Sequence, residues 1–442
     1  MKYIQKFINY FKEYFNLNNY LLINYNKNKK LKKNILLNFI IYLILILLFL
    51  SLILIIKKFL CFYFININSS LSKSKNNKFL FKRLLWKNQK IDLKKIRKEI
   101  FEYKYINFTY INKEEIYKSQ NPKISLIITL FNQESYIIRI YYCIQKQSLK
   151  DIEIIFVDDY SKDNSYYIIK KLMEKDKRIV YLKNSINKGQ FYSRNKGIFK
   201  SKGEYVLIID PDDLLLNDIL TKIYETAKHF NLDIVQYYHM IGNLDRNHFQ
   251  DLSIKGIFYQ PQVKNVFFNS SERFLWDKLI KRNIFIKSIK FMKKKFRKER
   301  FAIHNDETAC YGVFRVAYSY GLLEQVGYFW NRNNPNSTSR QNLKPENTNG
   351  RFKSIFTTMD YYFEQSDNNI FEKNKGGYNF FKLRIIRRYE RQIKYLTKGF
   401  DYINKVIDMY LNSYYFTEEQ KNILQKFKDK INLQKIKINN NK

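Results

Sequence analysis

The chain has 442 residues, of which 80 are basic and 40 acidic, giving a formal charge of +40. That length holds one large or two ordinary domains, and a cationic surface favours anionic membranes and phosphorylated ligands. The pattern speaks against a nucleic-acid protein: there is no zinc-finger spacing, arginine stripe or RNA-binding aromatic signature, and lysine is over-used everywhere together with Asn, Ile, Tyr and Phe. Cys61, Cys143 and Cys310 are too few and too scattered for a disulfide framework or a zinc site.

Residues 1–34 form a basic tail. Ile35 to Ile56 is almost entirely Ile, Leu, Phe and Tyr, broken only by Asn38 and Ser51. As a helix it would span about 33 Å, enough for a bilayer core. It starts too late and lacks a small-residue cleavage site, so it predicts a transmembrane signal anchor at 35–56 rather than a cleaved peptide. Lys27, Lys29, Lys30, Lys32 and Lys33 outnumber Lys57 and Lys58, which places the tail in the cytosol and the rest across the membrane. Asn-x-Ser/Thr sites at Asn68, Asn107, Asn269 and Asn336 are permissive for a lumenal domain. Residues 57–120, rich in Ser, Asn and Lys, predict a stem.

From Pro122 the pattern changes. Strands are predicted at Ile124–Ile128, Ile152–Val157, Ile179–Leu182 and Tyr205–Ile209, with helices near Ser135–Gln147, Ser165–Asp176 and Gln190–Ser201 between them. Such alternation gives right-handed βαβ units, an α/β fold with a mostly parallel sheet flanked by helices. Beyond Asp213 the reading is a helix over Ile219–Phe230, a strand over Asp233–Met240 and a helix over Phe274–Ile286. Helical periodicity at Phe380–Lys398 and Thr417–Ile431 makes 341–442 a helical extension of a domain at 121–340. The tail Asn439–Lys442 is predicted to be disordered.

Asp210-Pro211-Asp212-Asp213 follows the apolar run Tyr205–Ile209, at the carboxyl end of a buried strand, where open parallel sheets bind ligands. Two carboxylates in Asp-x-Asp spacing there suit a divalent cation carrying phosphates; a solvated acidic turn or helix cap uses the same residues. The other strands also end in polar groups: Phe131-Asn132-Gln133-Glu134, Asp158-Asp159-Tyr160-Ser161 and Asn187-Lys188-Gly189. Several such ends on one edge describe a ligand crevice.

In this order and spacing the motifs resemble the family 2 glycosyltransferases, inverting enzymes of the GT-A (Rossmann-like) fold. Further elements of the series are Ile124–Ile128, Arg194-Asn195-Lys196-Gly197 and Gly203-Glu204-Tyr205. The resemblance covers about Pro122 to Met240 well and Trp276 to Arg340 more loosely. It implies a nucleotide-sugar donor, a divalent metal (Mn²⁺ or Mg²⁺) on Asp210 and Asp212, and Asp213 as a third acid of the cluster, given to the donor. Asp158 or Asp159 would receive the uracil or ribose, and Asn132 and Glu134 would lie at the base with Phe131. Lys188 and Arg194 would make polar or cationic donor contacts. Trp276-Asp277-Lys278 resembles an element near the acceptor. Within His304-Asn305-Asp306-Glu307, Asp306 is the candidate base, with Glu307 as runner-up. Three positions depart from the family pattern: Tyr160 stands where most relatives have Gly, Gln190 near a usual small residue, and Asn305 in place of a usual Glu.

The expectation is therefore a single-pass membrane enzyme of the Golgi or endoplasmic reticulum with a lumenal catalytic domain. It would transfer a hexose or N-acetylhexosamine from a UDP-sugar to a glycan, glycoprotein or glycolipid, with inversion and without a nucleic-acid partner. The alternatives are a cytosolic domain using a lipid-linked acceptor, a catalytically silent glycan-binding or scaffold protein that keeps the fold, and a basic nucleic-acid-binding protein.

Overall fold

The structure is a computed structural model, and it describes residues 91–440 apart from 366–389 and shorter breaks, the longest at 338–344 and 413–417. The anchor expected at 35–56 and most of the predicted 57–120 stem lie outside the described residues. α1 (Leu93–Glu102) is capped by Asp92, whose side chain accepts from the Lys95 amide, and it buries Ile96 and Ile100. The α/β part then runs β1 (Ile124–Leu130), α2 (Glu134–Gln145), β2 (Ile152–Asp158), α3 (Ser165–Lys175), β3 (Ile179–Lys183), α4 (Gln190–Lys200) and β4 (Tyr205–Ile209). These segments agree with the sequence reading to within a residue or two, because each strand is a mainly apolar run and each helix has one apolar stripe.

The second half contains β5 (Leu214–Leu215), α5 (Ile219–His229), β6 (Ile234–Gly242), β7 (Asn247–Gln250), β8 (Ile257–Tyr259) and α6 (Gln262–Asn269). It continues with β9 (Lys278–Lys281), α7 (Arg282–Phe291), α8 (Lys294–Arg297), α9 (Asn305–Val316) and β10 (Ser319–Asn331). Among the described residues the strands form one sheet in the order β3-β2-β1-β4-β9-β6-β10-β5, with β7 on β6 and β8 on β10.

Two expectations are corrected here. The sheet is mixed rather than mostly parallel: β3, β2, β1 and β4 are parallel, but β9 enters antiparallel between β4 and β6, and β5, β7 and β8 also pair antiparallel. The helix expected over Phe274–Ile286 is in fact β9 followed by α7. Its short apolar run, Leu279-Ile280, is buried in the middle of the sheet, and a short run of this kind does not distinguish strand from helix.

α10 (Thr348–Gln365), α11 (Phe400–Leu411) and α12 (Glu418–Asn440) share a core with α9 and with the α4 side of the sheet. Phe352 stacks on Phe427, and the Tyr410 hydroxyl donates to the Met359 carbonyl at 2.8 Å. This layer holds the start of α9 in place, through Thr308 Oγ1 against Thr358 Oγ1 at 2.9 Å and Tyr362 on Glu307. α12 continues through Asn440, so the first two residues of the tail expected to be disordered are helical; Ile438 packs on the core. The helix expected over Phe380–Lys398 falls mostly outside the described residues, and a single 3₁₀ turn, Ile393–Tyr395, occupies part of the remainder.

The expected single-pass localisation is also corrected. Among the described residues no helix is long and apolar enough to cross a membrane. α12 has the length, 23 residues, but it carries Lys421, Lys426, Lys428, Lys430, Lys435 and Lys437.

Candidate active site

The carboxyl ends of β1 and β2 are tied to each other. Asn132, in the left-handed region at φ 54°, donates its amide to Ser161 Oγ at 3.0 Å and accepts from the Lys162 amide at 2.8 Å. Glu134 donates its amide to Asp163 Oδ2 at 2.9 Å, and its carboxylate accepts the Asn164 amide at 2.8 Å, so the starts of α2 and α3 are cross-braced. Asp158 is buried and accepts from the Ser161 amide at 2.7 Å and from the Tyr181 hydroxyl. Asp159 accepts from Asn184 Nδ2 at 2.8 Å and from the amides of Lys188 and Gly189 at 2.8 and 2.7 Å. These expected donor residues do gather on one edge, and each one holds a loop of that edge in shape. Phe131 is exposed there, and Lys188 reaches the Tyr192 hydroxyl at 3.3 Å.

The Tyr160 departure has a physical reading. Its φ is 74°, a conformation that suits glycine and strains a residue with a Cβ. The Lys162 ammonium lies over its ring, 3.9 Å from the centroid.

α4 carries the centre of the site. Gly197 lets the helix press on β1, since a Cβ there would meet Ile127 Cγ2 at 2.6 Å. One turn earlier, Arg194 is buried and its guanidinium joins three groups. Nη2 donates to Asp210 Oδ1 at 2.7 Å, and Nη1 donates to Asn305 Oδ1 at 2.8 Å and to Asp306 Oδ1. Gln190 donates Nε2 to the same Asp210 oxygen at 3.0 Å and accepts from Asn305 Nδ2 at 3.2 Å. The side chains of Asp210 and Asp306 are 21% and 19% exposed against 3% for Arg194, so solvent reaches the acids while the cation between them is covered. Burial opposes the charge on Arg194, but Asp306 and Asp210 outweigh it and raise its pKa.

The remaining acids of the cluster differ in role. Asp212 accepts from Asn334 Nδ2 at 2.8 Å, and its carbonyl accepts from Asn331 Nδ2 at 3.0 Å. Asp213 is buried and pins β10: it accepts the Tyr328 hydroxyl and the Asn331 amide, both at 2.8 Å. Burial raises the pKa of Asp210 to about 6, with Arg194 opposing and Asp306 and Asp212 adding to the rise. Burial likewise raises Asp212, with Asn334 opposing, and Asp213, where Asp212 and Asp210 add to it.

Among the described residues no group of three or more His, Cys, Asp or Glu side chains is arranged to hold a metal by itself. Asp210 and Asp212 nevertheless fit a cation that arrives with phosphates, which needs only one or two protein carboxylates.

The expected acceptor element is interior. Trp276 is 2% exposed, stacked between Phe274 at 4.6 Å and Tyr328 at 4.7 Å. Asp277 and Lys278 are buried as an ion pair at 2.6 Å, and Gln236 also donates to Asp277 at 2.6 Å. Glu307 is buried too, bonded to the Tyr362 hydroxyl at 2.8 Å and to His304 Nδ1 at 2.9 Å, which leaves Asp306 as the acid of that stretch facing Arg194. Asn331, Asn334 and Tyr181 escaped the sequence reading because polar residues on strands and loops carry no spacing signal. Gln190 and Asn305 were visible only as departures from the family pattern.

The fold defines the class: an α/β, GT-A-like domain with a mixed sheet. The solved structure of S. aureus TarS 1–349 in complex with UDP-GlcNAc matches with a TM-score of 0.54 at 14% identity, over 72% of this chain and 90% of that one, a likeness of fold. Residues 125–321 match the Glycosyl transferase family 2 model. Glycosyltransferase GlyG of Streptococcus pneumoniae is 32% identical over 173 residues, 37% of this chain and 58% of GlyG. The GalNAc(5)-diNAcBac-PP-undecaprenol beta-1,3-glucosyltransferase of Campylobacter jejuni is 33% identical over 123 residues, 28% of this chain and 38% of that enzyme. The chain thus spans less than two thirds of either relative. All three proteins are bacterial, which adds to the correction of the Golgi or endoplasmic-reticulum placement.

Proposed function

We propose that the chain is an active glycosyltransferase that moves a hexose or N-acetylhexosamine from a UDP-sugar to a hydroxyl of a glycan or glycoconjugate, with inversion. The observation that carries this reading is the pair of solvent-reachable acids, Asp210 and Asp306, held on either side of the buried Arg194. An inverting displacement needs a base on one side of the sugar carbon and charge control on the other. Asp306, in the first turn of α9 where the helix dipole favours an anion, takes the proton of the acceptor hydroxyl. Asp210 and Asp212 would hold a divalent cation, which when bound supplies positive charge to the departing diphosphate. Arg194 keeps the two acids from repelling each other. The braced ends of β1 and β2, with Phe131 exposed beside them, form the edge that takes the nucleotide. The UDP-GlcNAc bound by TarS and the polyprenol-linked acceptor in the name of the Campylobacter relative support a UDP-sugar donor and a glycoconjugate acceptor.

The test is a donor screen of the full-length protein with UDP-sugars, with Mn²⁺ and with chelator, reading UDP release. Release that requires the cation and falls with Asp306→Asn and Asp212→Asn is expected. A wild type that turns over no UDP-sugar favours the silent, glycan-binding alternative.

A further inference from the structure

We propose that Gln190 and Asn305 act together as a neutral positioning pair that fixes Arg194, and through it the relative placement of Asp210 and Asp306. The proposal rests on the transferase reading of those two acids. Four side chains from three elements close a ring of hydrogen bonds, each with a fixed direction. Arg194 donates to Asn305 at 2.8 Å, Asn305 donates to Gln190 at 3.2 Å, Gln190 donates to Asp210 at 3.0 Å, and Arg194 closes the ring on the same Asp210 oxygen at 2.7 Å. The ring joins the first turn of α4, the start of α9 and the end of β4, which no backbone ladder connects.

Amides suit both middle places. Each must accept on one side and donate on the other, a combination that neither a carboxylate nor an apolar side chain offers. An acid at 190 would set a second carboxylate against Asp210, and an acid at 305 would lose the donor to Gln190. With both amides present, Arg194 has fixed partners on both sides of its fork, and Asp306 is held where the guanidinium holds it. Without them the guanidinium keeps its two acids but gains freedom to rotate, and a misplacement of about 1 Å costs up to about 10²-fold in rate. Neither amide is assigned contact with substrate, so both are positioning residues.

The experiment is a double-mutant cycle in the full-length chain: Gln190→Ala, Asn305→Ala, both together, and the exchange Gln190→Asn with Asn305→Gln. It reads kcat, the donor KM and the urea unfolding midpoint. The expected result is a fall in kcat of about ten- to a hundredfold for each single variant with donor KM changed less than about threefold. The double variant is no worse than the poorer single, and the exchange recovers part of the rate. Multiplying effects in the double variant, a loss expressed in KM alone, or rate losses that track the unfolding midpoint would each overturn the proposal. If an alanine variant does not fold, the exchange decides against its own single variants: a rate no higher than that of Gln190→Asn or Asn305→Gln alone counts against the pair. A wild type with no turnover of any UDP-sugar sinks the transferase reading itself and is recognised before any variant is made.

Discussion

The Tyr328 hydroxyl donates to Asp213 Oδ2 at 2.8 Å although the two residues are 115 positions apart, and the phenol oxygen in turn accepts the Asp210 amide at 3.1 Å. One phenol therefore ties β10 to both ends of the Asp210–Asp213 turn. Tyr328→Phe leaves a buried carboxylate and a buried amide each short of a partner, so unfolding free energy should drop by about 1–3 kcal/mol. Urea unfolding of the two proteins measures it. An unchanged midpoint would show that the turn does not depend on this bond.

Asp306 and Glu307 should separate cleanly. Asp306→Asn removes the proposed base and should lower kcat by about 10²–10⁴-fold while leaving the unfolding midpoint close to wild type. Glu307→Gln alters buried bonds to Tyr362 and His304, so its effect should appear in stability rather than in kcat. Parallel kinetics and thermal melts decide, and the reverse pattern would move the base to Glu307.

In cation-free buffer, Asp210 makes stability fall as pH rises. Its pKa of about 6 in the folded chain exceeds the ordinary 3.8, so between those values the folded state keeps a proton that the unfolded state has released. Its stabilising contribution is thus complete below pH 3.8 and lost as pH rises through about 6. Asp210→Asn has no such proton, so the stability of wild type relative to this variant should decline across the window. Urea titrations at several pH values measure that difference, and a flat or rising one contradicts the assignment.

Cation binding should depend on the nucleotide. With two carboxylates and no third ligand among the described residues, Mn²⁺ alone should bind weakly and UDP should strengthen it by at least about tenfold, since phosphate oxygens complete the ligand set. Asp212→Asn should abolish the enhancement. Calorimetric titration of Mn²⁺ with and without UDP provides the reading, and tight binding of the bare ion would require ligands beyond these two.

Tyr160 at φ 74° carries a strain that glycine does not. Tyr160→Gly should be more stable than Tyr160→Ala by about 1 kcal/mol, because alanine keeps the offending Cβ while losing the same ring. Comparing these two variants removes the ring contact with Lys162 from the difference. Equal stability would mean the turn relaxes at no cost.

Apolar runs and helical stripes were enough to place the first four strands and the helices between them, because burial on both faces demands a continuous run and burial on one face a 3.6-residue period. The polar residues at each strand end, the Asp210 cluster among them, followed from the same topology, whereas Asp306 was named through the family resemblance. Sequence periodicity did not reveal that β9 slips antiparallel between β4 and β6, since the pairing partners of a short apolar segment lie far away in the chain. Nor did it reveal that Trp276, Asp277 and Lys278 are interior, because an ion pair can be satisfied inside a core as well as at a surface. Gln190 and Asn305 each stood out as a departure from the family pattern, yet nothing along the chain linked them. Residue types and their order determined which groups are available for chemistry. Only tertiary packing, by setting the start of α9 against α4 and the end of β4, decided that two amides and an arginine would hold Asp210 and Asp306 in one network.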